Sequence, residues 1–280
     1  MPYTKFESFA RIPFFAVCAA TDGAVTDSKF SGIPWLNYNE QWPKCKNCDK
    51  EMQLLLQLNL KSLPAEAMIA GTGFMQLFYC TNVNPHCEVD CGSWFWNDRA
   101  MLVRIITPDD ESTPLSIPVS ISVPTSVPTS VPTSVPTSVP APLSAPLSAP
   151  LSSPLLESPV VNAFPAKVIR RWEAGVPELP RVEELIGYVE IPENEQTDLY
   201  DAEDAQTYAG PEGGDKLGGW PCWIQSVEYP DCRHCGKPMK VIFQIDSDVN
   251  LPYMWGDGGC GHISQCERHP DVLAFGWACM

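Results

Sequence analysis

A chain of 280 residues, 44% of them hydrophobic, is long enough to bury two ordinary cores, so its twelve cysteines do not mark a short disulfide-held scaffold. The formal net charge of −16 is uneven: residues 1–107 carry 9 Lys+Arg against 10 Asp+Glu, residues 108–166 none against 4, and residues 167–280 9 against 20. Such a balance argues against nucleic acid and for a basic protein partner or plain solubility, and no run approaches the ~20 apolar residues of a membrane span.

The first apolar stretch, Ile12 to Ala20 (IPFFAVCAA), is too short for a leader and has Glu7 where a basic region would stand, so it reads as a buried strand of a cytoplasmic protein. Short apolar runs bounded by Gly, Pro, Asn or Asp predict strands at Gln53–Leu60, Gly73–Cys80, Met101–Ile106, Ile186–Ile191, Lys240–Asp246 and Val272–Cys279. Helical signal is thin. It predicts a short helix within Lys61–Ala70 and another over Pro180–Ile186, where proline stands near the start and glutamates follow.

Between these strand-rich halves, four copies of Ser-Val-Pro-Thr (Ser122 to Thr137) and an alternating Pro-Leu-Ser-Ala stretch contain no charge from Ser112 to Leu156. Proline at every fourth position removes ladder donors and fixes φ, so neither helix nor central strand persists. Residues 108–165 therefore read as a disordered Pro/Ser/Thr-rich linker, with a rise of about 3.1 Å per residue where extended. An SH3-type ligand is the weaker reading, because no Arg or Lys flanks the prolines.

The halves repeat each other. Lys29 to Leu60 lies over Lys216 to Ser247 at a constant offset of about 187 residues, matching Lys29/Lys216, Gly32/Gly219, Pro34/Pro221, Pro43/Pro230, Cys45/Cys232, Cys48/Cys235, Met52/Met239 and Gln57/Gln244. The expected fold is thus a β-rich α+β protein of two related lobes, 1–107 and 166–280, arising from an internal duplication and joined by the linker.

Each copy centres on Cys-x-x-Cys. A redox motif of this kind opens a helix after a strand, whereas here each precedes a methionine and an apolar strand. Two thiolates on a tight turn, with Asp49 or Gly236 to take the left-handed conformation, form instead a metal knuckle. Tetrahedral closure needs two further ligands. The expected sets are Cys45, Cys48, Cys80 and Cys87, with Cys91 as substitute and His86 in reach, and Cys232, Cys235, Cys266 and Cys279, with His269 then Cys260 as alternatives to Cys279. Structural zinc, one or two ions, is the expected cofactor, and Cys18 and Cys222 read as buried thiols without metal.

Other motifs are weaker. Gly256-Asp-Gly258-Gly-Cys-Gly261 fits G-x-G-x-x-G but lacks the following helix of a dinucleotide fold. Asp246-x-Asp248-x-Asn250 imitates a calcium loop with Leu251 where glycine is required. With four histidines and neither His-Glu-x-x-His nor Gly-x-Ser-x-Gly, no catalytic set emerges. Tryptophans Trp35, Trp42, Trp94, Trp96, Trp220, Trp223 and Trp255 fall near turns and motif edges, where a subset would line a binding groove.

Lys216-Leu-Gly-Gly-Trp-Pro-Cys-Trp-Ile-Gln225, Cys232-x-x-Cys235-Gly-x-x-Met239, Phe243-Gln-Ile-Asp-Ser-Asp248 and Trp255-Gly-Asp-Gly-Gly259 resemble the bacterial YwqG-like family, a domain of unknown function. Gly32-x-Pro34-Trp35, Trp42-Pro-x-Cys-x-x-Cys48, Met52 and Phe78-Tyr-Cys80 are similar both to that family and to the cysteine-rich part of programmed cell death protein 2. The resemblance covers most of the chain outside the linker and implies a two-lobed β-rich fold without established enzymatic activity. For the second relative it implies a chaperone-like service to a ribosomal protein. The expectation is a non-enzymatic zinc-stabilised interaction module with a basic protein partner, which Trp35, Trp220, Trp223, Trp255 and Asp257 would contact. An immunity or antitoxin-type protein masking a toxin is the alternative, and a thiol-redox or zinc enzyme comes third.

Overall fold

Residues Gln53 to Leu58 are all buried, so this strand is covered on both faces and its two glutamines need partners inside the protein. The computed structural model, which describes residues 4–67, 69–83, 87, 99–108 and 158–280, shows how both faces are covered. Residues 109–157 of the linker expected over 108–165, together with Cys91, His86, Trp94 and Trp96, lie outside the described residues, whereas the end of that stretch joins the fold: Phe164 packs against the core and its carbonyl accepts from Ser31 Oγ at 2.8 Å.

Ten strands make one antiparallel sheet: β1 (Pro13–Ala19), β2 (Lys29–Phe30), β3 (Gln53–Asn59), β4 (Phe74–Tyr79), β5 (Met101–Ile106), β6 (Lys167–Ala174), β7 (Lys216–Gly218), β8 (Lys240–Asp246), β9 (Cys260–Gln265) and β10 (Leu273–Ala278). Their order is β10-β9-β8-β7-β1-β6-β2-β3-β4-β5. The sheet is nearly closed. Its edges β5 and β10 come into contact, and Trp277 Nε1 on β10 donates to Tyr79 Oη on β4 at 3.0 Å.

The leading strand of each half crosses to the other: β1 pairs with β7, and β6 pairs with β2. Residues 1–107 and 166–280 thereby share one sheet. They also share one core, in which Leu55, Leu58, Met75 and Leu77 meet Ile242, Phe243, Ile245 and Phe275, and the rings of Phe30 and Phe243 stand 6.2 Å apart.

The outer face of each half is covered by the segments on either side of its short strand, those that run into and out of β2 and β7. Gln57 holds the first cover: its Nε2 donates to the carbonyls of Val25 and Asp27, and its Oε1 accepts from Trp35 N at 2.6 Å. Gln244 does the same 187 residues later, donating to the carbonyls of Glu212 and Gly214 and accepting from Cys222 N. Beneath the covers, buried Lys29 pairs with Asp22, which also accepts from Ile33 N, and buried Lys216 pairs with Glu178, which accepts from Trp220 N. The β3/β4 ladder shifts register between Leu54 and Leu56, and the β8/β9 ladder between Val241 and Phe243.

Helices enter between β6 and β7: α1 (Val182–Tyr188) and α2 (Glu193–Asp204), packed through Val182, Leu185, Ile191 and Leu199 against Phe6. The strand expected at Ile186–Ile191 is therefore the end of α1 and its exit. The helix expected within Lys61–Ala70 is two 3-10 turns, Leu60–Ser62 and Ala65–Ala67, because Pro64 breaks the amide ladder between them. Among the described residues no helix is long and apolar enough to cross a membrane.

Candidate metal centres

Each Cys-x-x-Cys forms the same closed turn. Cys45 N donates to Lys50 O and Met52 N to Pro43 O, while Asp49 N returns to Cys45 O. Cys232, Lys237, Met239, Pro230 and Gly236 repeat all three bonds. The turn needs a residue at positive φ after the second cysteine, supplied by Asp49 (φ 56°) and Gly236 (φ 61°). Asn47 N and His234 N each point at the first cysteine's Sγ at 3.4 Å, which favours a thiolate there.

The sheet delivers the remaining donors. Cys80 follows β4 directly and Cys87 lies in the connection to β5, so Cys45, Cys48, Cys80 and Cys87 converge with all Sγ atoms within 4.8 Å of one another. Cys45 to Cys87 and Cys48 to Cys80 each measure 3.6 Å. Cys266 follows β9 and His269 lies in the connection to β10, giving Cys232, Cys235, Cys266 and His269 within the same limit. Here Cys235 stands 3.8 Å from Cys266, and His269 Nδ1 stands 3.6 Å from both Cys232 and Cys266.

These spacings test the fit to a metal. Thiolates held ~2.3 Å from one ion at tetrahedral angles lie ~3.8 Å apart, and a thiolate and an imidazole nitrogen ~3.6 Å apart. A disulfide would bring two sulfurs to ~2.05 Å, so the sets are not disulfides caught open, and every described cysteine is free. Both sets can hold a metal ion.

Burial would raise Cys232, but the backbone N–H groups of Cys235 and His234 and its bonds to Cys266 and His269 pull it down to about 6. Burial is likewise outweighed at Cys48, by the Lys50 N–H and the neighbouring thiols, whereas burial pushes Cys80, Cys87 and Cys266 up.

Residues 28–264 match the domain of unknown function DUF1963. The chain belongs to that family. The YwqG-like resemblance is borne out at this level, and no curated protein matches the chain.

Seven of the eight expected ligands thus come together, and Cys279 does not. It follows β10, next to Gly256, and its carbonyl accepts from Gln225 Nε2. His269 takes its place. Its signal was positional: three residues after Cys266, it occupies the β9–β10 connection as Cys87 occupies the β4–β5 connection. Cys260 is buried and bonded to the carbonyls of Ile245 and Gly261, away from the set.

The four candidate contact tryptophans are buried as well: Trp35 stacks on Phe74 at 5.3 Å, Trp220 is bonded to Phe9 O, Trp223 packs on Tyr229 and His262, and Trp255 joins the central core. Asp257 alone of that group is exposed. Cys18 and Cys222 are half-buried thiols whose burial raises their pKa, to about 11 for Cys18. The Asp246–Asn250 stretch is no calcium loop, since Asn250 turns inward to bond Asp215, which also accepts from Asp246 N.

Proposed function

We propose that this protein is a non-enzymatic interaction module whose two Cys-rich turns are locked by structural zinc. The observation that carries the reading is the pair of closed four-donor sets, Cys45/Cys48/Cys80/Cys87 and Cys232/Cys235/Cys266/His269, spaced as the edges of a tetrahedron. Thiolate with one imidazole suits zinc, and four protein donors leave no position for a reacting water. When bound, the ion ties the cover of each half to the strand end beneath it.

We further infer that the halves descend from one duplicated unit, supported by the Gln57/Gln244 and Lys29/Lys216 bonds recurring at one offset. The partner we propose is a basic protein. With Trp35, Trp220, Trp223 and Trp255 buried, the contact surface falls on α2, where Glu193, Asp198, Asp201 and Asp204 are exposed and no basic residue intervenes. Capture of partners by the full chain, compared with a Glu193→Gln/Asp198→Asn/Asp201→Asn variant at low and high salt, tests this. Loss of capture in the variant and at high salt is expected. Capture that ignores both refutes the electrostatic surface.

A further inference from the structure

The exit of β6, the end of α2 and the cover of the second half enclose a cavity of about 650 Å³ that neither metal set uses. Small-molecule sites span roughly 300–1,000 Å³, so the space suits a ligand of that kind.

The walls are pinned rather than loose. Leu179 N donates to Ala209 O at 2.6 Å, Tyr208 Oη to Pro180 O at 2.8 Å, and Glu212 N to Glu178 Oε2 at 2.8 Å. Trp223, Tyr208, Pro177 and Pro211 give the lining an apolar part. Gly210, which also lines it, is not left-handed, so the backbone does not demand a glycine there. A Cβ at that position would stand 3.2 Å from Tyr208 Cδ1 and 3.9 Å from Glu203 Oε1, and would fill space beside the carboxylate.

The charged groups of the lining differ in how far they are engaged. Glu178 is satisfied at both oxygens, by Lys216 Nζ and by the N–H groups of Trp220 and Glu212. Arg181 and Glu203, both half-buried, are each engaged on one side only. Arg181 Nη1 donates to Trp223 O (2.9 Å) and Gln225 O (3.4 Å), and no described residue accepts from Nε or Nη2. Glu203 Oε1 accepts from Val182 N at 3.1 Å, and no described residue donates to Oε2. Because Val182 follows Arg181, that bond keeps guanidinium and carboxylate on neighbouring stretches of one cavity wall. They nevertheless form no ion pair with each other or with any other described residue. Opposite charges held near each other but apart fit a molecule that carries both.

We propose that this cavity binds a small zwitterion with an apolar body, an amino acid or short peptide. Its carboxylate takes the free N–H groups of Arg181, its ammonium takes Glu203 Oε2, and its side chain lies against Trp223 and the two prolines. The site is separate from the metal sets, and Glu203 is not among the α2 carboxylates assigned to the basic partner.

The experiment is calorimetric titration of the metal-loaded full chain with L-phenylalanine and with L-alanyl-L-phenylalanine, each beside its N-acetyl and its C-terminal amide form. Saturable binding is expected, weakened about tenfold by either modification. The loss on acetylation disappears in Glu203→Gln, which keeps an acceptor for Val182 N, and the loss on amidation disappears in Arg181→Gln. Glu183→Gln, which removes an exposed carboxylate of α1 outside the cavity, leaves the affinities unchanged. Tighter binding of phenylalanine assigns a free amino acid, and tighter binding of the dipeptide a peptide with its charges set apart. Absence of saturable binding with both probes overturns the proposal. So does an acetylation penalty as large in Glu203→Gln as in wild type, when the variant keeps a native-like urea midpoint.

Discussion

Replacing Gln57 by leucine tests the claim that one buried amide fastens the first cover to the sheet. Gln57 is wholly buried, and its side chain satisfies three backbone groups of the cover: the carbonyls of Val25 (2.8 Å) and Asp27 (3.0 Å) and the N–H of Trp35 (2.6 Å). A fourth bond, from Gln76 Nε2 at 2.9 Å, is dispensable because that amide also donates to Trp35 O at 2.6 Å. Leucine fills similar volume, so no large cavity is created and the cost comes from the stranded groups. Each buried orphan costs ~1–3 kcal/mol, and water can reach the half-buried Val25 and Asp27, so the low end applies and the total is ~3–4 kcal/mol. Urea unfolding of metal-loaded wild type and Gln57→Leu measures it as a lower midpoint at unchanged slope. Gln244→Leu, which strands Glu212 O, Gly214 O and Cys222 N, is expected to cost a similar amount. A loss under ~1 kcal/mol for Gln57→Leu would refute the reasoning, because it would mean that the orphaned groups rehydrate freely.

Metal analysis of two variants separates the rival fourth ligands: His269→Ala is expected to retain one ion per chain and Cys279→Ser two. Burial, aided by the charge of Lys216, depresses the pKa of His262 from 6.5 to about 3. The folded protein keeps it neutral where the unfolded chain protonates, so stability falls as pH drops below the unfolded value, by ~1.4 kcal/mol per unit and ~2 kcal/mol at pH ~5. His262→Gln installs the residue type of its counterpart Gln76, and urea midpoints at pH ~7 and ~5 should show the wild type losing ~2 kcal/mol more than the variant. Gly236 has no heavy atom within 4 Å of an added Cβ, and its counterpart Asp49 already carries positive φ, so Gly236→Asn should keep both metals at a cost under ~1 kcal/mol in thermal or urea unfolding.

The strands around each knuckle were legible because their apolar runs end in turn residues, and the spacing from Cys48 to Cys80 and from Cys235 to Cys266 carried the third ligand. Cys279 and His269 both follow Cys266 closely enough in sequence to close the set, and nothing local ranks them. The deciding fact was topological: the β9–β10 connection is short, and only a residue within it reaches back to the knuckle. The tryptophans misled for a related reason. They do lie at motif edges, but the edges that carry Trp35, Trp220 and Trp223 belong to covers folded onto the outer face, while Trp255 in the β8–β9 connection enters the central core, and the signal for such covering was the unbroken QLLLQLN run with its internal glutamines. Nothing local marks the crossing of β1 and β6 between halves, because strand partners chosen across the chain leave no trace in either strand's own pattern. The acidic α2 segment carries no long apolar run to announce it, and it is a helix because Leu199 and its neighbours find an apolar groove made by α1 and Phe6.

Native mass spectrometry of the reduced full chain, paired with elemental analysis, tests the central claim most directly. Two zinc ions per folded chain, lost together with structure on chelation, are the result expected from the two tetrahedral sets. A folded chain that carries no metal, or whose mass shows disulfides within either set, would contradict it.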